Sequence, residues 1–156
     1  MDPLAARAIE EILTNIRMRP ERPACILPVL LQIEAAAGYV PPGSVVPVAK
    51  AIGVTNAQVA GVLSYYPDLR TSPPGRHVVR VCLGEACLAN RAGRVLQAVR
   101  DQLHIDIGET AAGGRWTLEK VYCVGNCGVS PTVVIDDVIH GRVTPEQVPG
   151  LLERSR

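Results

Sequence analysis

The chain has 156 residues, of which 47% are hydrophobic and 20% charged, and sixteen basic and fifteen acidic side chains leave a net charge of +1. A chain of this length and composition folds into one or two globular units without disulfides, and its balanced charge argues against nucleic-acid binding. It has no run of about 18 apolar residues and no signal or transit peptide features at its start, so we expect no membrane insertion and a cytoplasmic, reducing location.

The first half of the chain shows the periodicity of helices. Apolar residues recur three and four positions apart, and prolines and glycines separate the periodic segments. Thr55 is placed to cap the last of these helices with its side chain. Cys25, between two apolar residues, is expected to be a small buried residue. The predicted helices span Pro3–Arg17, Ala24–Ala37, 46–52 and 57–66.

A linker separates this half from a second half with a different pattern. The segment DLRTSPPGRH, residues 68–77, holds two prolines and a glycine and cannot continue a helix. Strands and helices then follow in the order β-α-β-β-β-α. The segments are HVVRVC, residues 89–103, residues 115–123, PTVVIDD, VIHGRV and PEQVPGLLER.

That order implies a small mixed sheet with helices packed against it, the arrangement found in thioredoxin-like domains. The predicted fold class is therefore α+β, with an N-terminal helical bundle followed by a thioredoxin-like α/β domain with a small mixed sheet. The predicted domains are residues 1–70, the helical domain, and residues 76–156, the thioredoxin-like domain.

Four cysteines stand in two pairs, and each pair follows a predicted strand. Cys82 and Cys87 are five positions apart in CLGEAC, and Cys123 and Cys127 are four apart in CVGNC. Adjacent strands would bring both loops to one edge of the sheet, where the four sulfurs converge. Four sulfurs suit either zinc or an iron–sulfur cluster, so both remain open. The C-x4-C spacing favours a 2Fe-2S cluster, because structural zinc sites commonly hold each pair two residues apart.

The residues inside the two loops suit the same interpretation. Small residues let backbone N–H groups approach the sulfurs, as expected around an anionic group. Glu85 lies within the first loop, and its negative charge is expected to keep the reduction potential of a cluster low. The small residues are Gly84, Ala86, Gly125 and Gly128.

Other chemistry is weakly supported. A reducing compartment disfavours two disulfides, and the lack of a C-x-x-C motif disfavours a thiol–disulfide enzyme. The histidines at 77, 104 and 140 are predicted to lie away from the cysteine loops, which argues against a mixed His/Cys cluster. No P-loop, dinucleotide fingerprint or catalytic set of side chains stands out, so no catalytic residue is predicted. A zinc-stabilised scaffold remains the alternative from another class.

The motifs resemble those of a known family, the thioredoxin-like 2Fe-2S subunit of NADH dehydrogenases, also called the complex I small flavoprotein-fragment subunit. The resemblance covers nearly the whole chain and is carried by LLQIEAAAGYVP, AQVAGVLSYYPDL, CLGEAC and YCVGNCG. It implies that one 2Fe-2S cluster is bound, with one pair of ligands on each iron. The implied ligands are Cys82, Cys87, Cys123 and Cys127.

The resemblance implies an electron-transfer subunit without catalysis of its own. FMN and NAD are expected on a partner flavoprotein within a larger dehydrogenase complex, and the helical first half is expected to dock on that partner. Within the family, the segments GRHVVRVCLGEAC and LEKVYCVGNCGVSP look closest to the gamma subunit of soluble NAD-dependent formate dehydrogenases. The equivalent subunits of complex I and of NAD-linked hydrogenase diaphorases are the alternatives.

Overall fold

The computed structural model describes residues 3–18 and 25–155, without the side chain of residue 4. The chain divides into two compact units, one ending at Pro73 and the other beginning at Pro74. Within the described residues, no helix combines the length and apolar character needed to span a membrane.

The first unit is a bundle of four helices. Helix α1 packs on α2 and α3, and α4 packs on α2 and α3. Thr55 caps α4 as predicted: its hydroxyl accepts a hydrogen bond from the Gln58 backbone N–H at 3.3 Å, while the Gln58 side chain accepts one from the Thr55 N–H at 3.0 Å. The helices span Pro3–Arg17 (α1), Ile26–Ala37 (α2), Val45–Ile52 (α3) and Asn56–Tyr65 (α4).

The start of α2 differs from the sequence prediction. The helix begins at Ile26, and residue 24, where the predicted helix began, lies outside the described residues. Cys25 has an extended backbone just before the helix, and it is exposed. The prediction that Cys25 is buried is therefore wrong. Cys25 precedes the first turn of α2, so its side chain does not share the apolar face that this helix buries.

The second unit is built on a four-stranded mixed sheet with the strand order β2-β1-β3-β4. Strand β1 pairs in parallel with β2 and antiparallel with β3, and β3 and β4 form a hairpin. The mixed sheet with packed helices confirms the predicted fold class. The strands span His77–Cys82 (β1), Trp116–Val121 (β2), Val133–Ile135 (β3) and Val138–His140 (β4).

Three helices complete this unit. Helix α6 crosses from β1 to β2 and buries Val95 and Val99 in a core shared with Val79, Val81 and other sheet residues. The parallel pairing of β1 and β2 depends on this crossover, since parallel strands cannot be joined by a tight turn. The helices span Glu85–Ala89 (α5), Ala92–Leu103 (α6) and Val148–Arg154 (α7).

The crossover differs in part from the sequence prediction. The helix predicted over 89–103 is present as α6 but begins three residues later, and a short helix that was not predicted, α5, precedes it, with Asn90 and Arg91 between the two. Arg91 has a φ of 66°, which breaks the helical path between them. Cys87 therefore lies on a short helix and not in an open loop.

Candidate metal centre

The parallel register of β1 and β2 places the two cysteine segments side by side. Cys82 is the last residue of β1 and pairs with Val121, the last residue of β2, which precedes Cys123 by two positions. The chain after Cys82 stays attached to this strand, because the Leu83 N–H donates to the Val121 carbonyl at 2.7 Å. Parallel strands point their carboxyl ends the same way, so both segments leave the same edge of the sheet, as predicted.

The first pair is buried. Cys82 is 2% exposed and Cys87 is 3% exposed, and both pack against Ala92 at the start of α6. Burial raises the pKa of the Cys87 thiol above its usual value of 9.0, and the neighbouring Cys82 side chain adds to the rise. Interactions with the backbone and hydroxyl of Thr132 act in the opposite direction. In the metal-free protein the Cys87 thiol is therefore protonated at neutral pH.

The second pair is exposed and closely spaced. The sulfurs of Cys123 and Cys127 are 3.8 Å apart, and the Gly125 N–H donates to the Cys123 sulfur at 3.3 Å. Gly125 has a φ of 77°, a conformation that brings its N–H back toward that sulfur at little steric cost. Interaction with Cys123 raises the pKa of the Cys127 thiol, and the charge of Cys82 contributes to the same rise.

The donor set fits a cluster of two irons. A metal–sulfur bond of about 2.3 Å places two thiolates of a tetrahedral metal about 3.8 Å apart, which matches the separation of Cys123 and Cys127. In the described part of the chain, no group of three or more His, Cys, Asp or Glu side chains surrounds a single metal position. What the site presents is two pairs of thiols on segments that leave the same edge of the sheet, and one pair for each iron is the arrangement that the resemblance implies.

Thr132 links the cysteine segments, and the sequence analysis missed it. This residue is fully buried, and its carbonyl accepts a hydrogen bond from the Cys82 N–H at 3.0 Å. Its hydroxyl oxygen accepts from the side chain of Asn126, the neighbour of Cys127, at 3.4 Å. A threonine between a proline and a valine carries no sequence signal for such a role, because its partners lie on other segments.

One of the three histidines has well-defined contacts away from the cysteines. His77 Nδ1 lies 2.6 Å from Asp136 Oδ2, and the His77 ring lies 4.9 Å from the ring of Trp116. His77 is the first residue of β1 and Cys82 the last, so this group occupies the opposite end of the strand from the cysteine pairs.

Comparison with known proteins agrees with this site. The family model of thioredoxin-like [2Fe-2S] ferredoxins matches residues 9–156. The chain is 34% identical over 142 residues to the HndA subunit of an NADP-reducing hydrogenase from Solidesulfovibrio fructosivorans, an alignment covering 91% of this chain and 83% of that protein. It is 37% identical over 121 residues to a subunit of the NADH-quinone oxidoreductase of Pseudomonas aeruginosa, covering 78% of this chain and 73% of that protein.

A solved structure shows the same fold over most of the chain. An NAD+-reducing [NiFe]-hydrogenase in the air-oxidized state superposes with a TM-score of 0.66 at 16% identity. The match covers 83% of this chain, but only 22% of that hydrogenase chain.

The chain belongs to the thioredoxin-like [2Fe-2S] ferredoxin family. Its cofactor is a [2Fe-2S] cluster, as the sequence predicted, and its chemistry is electron transfer.

Proposed function

We propose that this chain is the electron-transfer subunit of an NAD(H)-linked flavoprotein dehydrogenase and holds one [2Fe-2S] cluster through its four paired cysteines. The observation that carries the proposal is the pair of dithiol segments at the carboxyl ends of β1 and β2. In the proposed site, Cys82 and Cys87 bind one iron, and Cys123 and Cys127 bind the other. When bound, the cluster supplies one-electron oxidation and reduction.

The two pairs contribute differently to this function. Cys82 and Cys87 are buried against Ala92, so water does not reach their side of the site. Cys123 and Cys127 are exposed, so their side of the site is open to a redox partner. Because electron transfer needs close approach but no new bond, an exposed ligand pair on a fixed sheet edge suits a carrier.

The partner follows from the named relatives. They are subunits of an NADP-reducing hydrogenase and of an NADH-quinone oxidoreductase, which supports a flavoprotein partner that carries FMN and binds the nicotinamide. We assign the docking role to the helical domain, residues 1–70, and the cluster to residues 76–156. A soluble NAD-dependent formate dehydrogenase is the proposed complex, on the resemblance of the two cysteine segments. A complex I or hydrogenase diaphorase module is the second candidate.

Metal content tests the cofactor assignment on this chain. The protein is purified anaerobically and assayed for iron, zinc and acid-labile sulfide, and then examined by visible absorption and by EPR after dithionite reduction. We expect about two irons and two sulfides per chain and an EPR signal only after reduction. A colourless protein with about one zinc would instead establish the scaffold alternative.

Serine substitutions test the ligands. Cys127→Ser is expected to lose iron and to disorder the second cysteine segment, whereas Cys25→Ser is the matched control and should keep full iron content. If Cys127→Ser retained the wild-type iron content and spectrum, Cys127 would not be a ligand.

The complex is tested by affinity purification of the tagged chain from its native host. Co-purification of a flavin-containing subunit with formate-dependent NAD+ reduction supports the formate dehydrogenase assignment. Hydrogen-dependent NAD+ reduction, or NADH–quinone activity, would replace it with the corresponding module. If a chain lacking residues 1–70 bound the flavoprotein as well as the full chain, the docking role of the helical domain would be wrong.

A further inference from the structure

Asn90 occupies the turn between the two helices of the crossover. It follows the last residue of α5, the helix that carries Cys87, and its backbone N–H caps the end of that helix by donating to the Ala86 carbonyl at 3.1 Å. The side chain of Asn90 points toward Ser130, in the segment that follows Cys127.

The side-chain amide of Asn90 makes two hydrogen bonds to two different segments. Its nitrogen donates to the Ala86 carbonyl at 2.8 Å and to the Ser130 hydroxyl at 2.8 Å. An amide nitrogen has two N–H groups, so both donors are used. Ala86 is adjacent to Cys87, and Ser130 is joined to Cys127 by a backbone hydrogen bond of 3.3 Å from its own N–H.

We propose that Asn90 is a positioning residue for the cluster site, whose single amide ties the Cys87 helix to the Cys127 segment. The inference rests on the proposed function, because it assigns Asn90 a role in holding the two ligand pairs at a fixed separation.

The different exposure of the two pairs explains why such a tie matters. The first pair is held by burial and by the sheet, whereas Cys123 and Cys127 are exposed on a segment outside the strands. Iron loss therefore begins with movement of the exposed segment away from the buried pair. The bond between Asn90 and Ser130 spans that gap and resists this movement.

The test compares four variants of the full, cluster-loaded chain. Asn90→Leu keeps the approximate volume and removes both donors, and Ser130→Ala removes the acceptor on the second segment. Ser130→Thr retains the hydroxyl and serves as the rescue variant. Gln97→Leu is the control, since Gln97 is an exposed amide on α6 that bonds to Asp101 at 2.8 Å.

The rate of iron loss to a chelator is measured anaerobically, together with the visible circular dichroism of the cluster, which reports the ligand arrangement. We expect Ser130→Ala to lose iron about fivefold faster than wild type, as one neutral hydrogen bond allows, and Asn90→Leu at least as fast. Their dichroism should change in the same way. Ser130→Thr and Gln97→Leu should match wild type in both measurements.

A double substitution separates coupling from two independent effects. If the amide acts through Ser130, the Asn90→Leu/Ser130→Ala protein loses iron no faster than Asn90→Leu alone. Multiplied single effects, or a wild-type rate in Asn90→Leu, would overturn the inference while leaving the proposed function intact. A wild-type protein without iron would overturn the proposed function first, and the role of Asn90 with it.

Discussion

The carbonyl oxygen of Tyr122 occupies the space that a side chain on Gly84 would need. A Cβ atom at position 84 would lie less than 3.0 Å from this oxygen and 3.6 Å from the Cβ of Cys123. Gly84 begins the turn into α5, and Tyr122 directly precedes Cys123. The two cysteine segments thus touch through their backbones, and even one methyl group at this point would separate them.

Gly84→Ala is therefore expected to weaken both the fold and the cluster site. Backbone atoms must move to accept the methyl group, which costs about 1–3 kcal/mol in the free energy of unfolding. We also expect lower iron content after purification, because the ligand pairs move apart. Thermal unfolding and iron assays measure these effects.

Gly93→Ala is the matched control for this substitution. Gly93 lies in α6, and nothing lies within 4 Å of its added Cβ. The change should raise stability by about 0.5–1 kcal/mol and leave the iron content unaltered. Equal losses in both variants would show that the contact with Tyr122 does not set the spacing of the segments.

Glu85→Gln tests the influence of charge on the site. Glu85 is the exposed first residue of α5, between Cys82 and Cys87 in sequence. Removing its negative charge should raise the reduction potential by on the order of 30 mV, about 0.7 kcal/mol for a one-electron step at the protein surface. An EPR-monitored redox titration measures the shift, and Glu153→Gln on α7 is the remote control. An unchanged or lower potential in Glu85→Gln contradicts the prediction.

Thr132→Val should move the potential in the opposite direction. The Thr132 hydroxyl oxygen already accepts from Asn126, so its proton is available to the neighbouring Cys87 sulfur. A donor to a thiolate stabilises the more negative, reduced state, so valine is expected to lower the potential by on the order of 50 mV. Thr132→Ser keeps the hydroxyl and should remain near wild type. If valine and serine gave the same potential, the hydroxyl would have no electrostatic role.

Asp106→Asn tests an ion pair between Arg100, in the last turn of α6, and Asp106, in the segment that follows this helix. Asp106 pairs with Arg100 and accepts the Ile107 N–H at 2.6 Å, and the hydrogen bond from Arg100 is the main reason that the pKa of Asp106 lies below its usual value of 3.8. Because the pKa of Asp106 is lower in the folded protein, its ion pair stabilises the fold at pH values above the usual pKa of 3.8. This stabilisation is lost as the pH falls through the pKa of the folded state. The variant should therefore unfold more easily than wild type at about pH 5–8.

The difference between the two proteins should narrow only below about pH 4, where the carboxylate becomes protonated. Urea unfolding of the metal-free wild-type and variant chains across this pH range measures the difference in their free energies of unfolding. Metal-free protein is used because acid would release sulfide from a cluster. Asp101→Asn, on α6 beside Arg100, is the control. A difference that vanished already at about pH 6 would mean that the pair does not carry the effect.

The sequence was sufficient for the fold class and for the placement of the cysteines. The apolar run before Cys82 and the alternating residues before Cys123 predicted both strands, and adjacent strands were expected to bring the two cysteine segments to one edge of the sheet. The structure shows that β1 and β2 are parallel and that Cys82 pairs with Val121, so both segments do leave one edge. The identity of the ligands was predicted from spacing and resemblance, and it stays a prediction until metal binding is measured.

Local patterns could not show the rest of the site. Helix α5 has five residues, too few for a periodic signal, and it forms because Cys87 packs into the unit beside Ala92. Asn90 and Ser130 are 40 positions apart, and their hydrogen bond exists only once the sheet has brought their segments together. Cys25 shows the same limit. The predicted helix began two residues before the observed one, and for that reason Cys25 was predicted to be buried although it is exposed.

The position of β1 between β2 and β3 has a consequence for biosynthesis. A growing chain that has just emerged through Cys127 already contains every predicted ligand, but it lacks Val133–Ile135, the strand that pairs with the other side of β1. Such long-range pairing forms slowly compared with helices. The cysteine thiols are thus synthesised and accessible before the sheet that orders them is complete. In a ribosome-stalled chain that ends before Val133, Cys82 should react with an alkylating reagent. In the released protein, Cys82 should be protected from it.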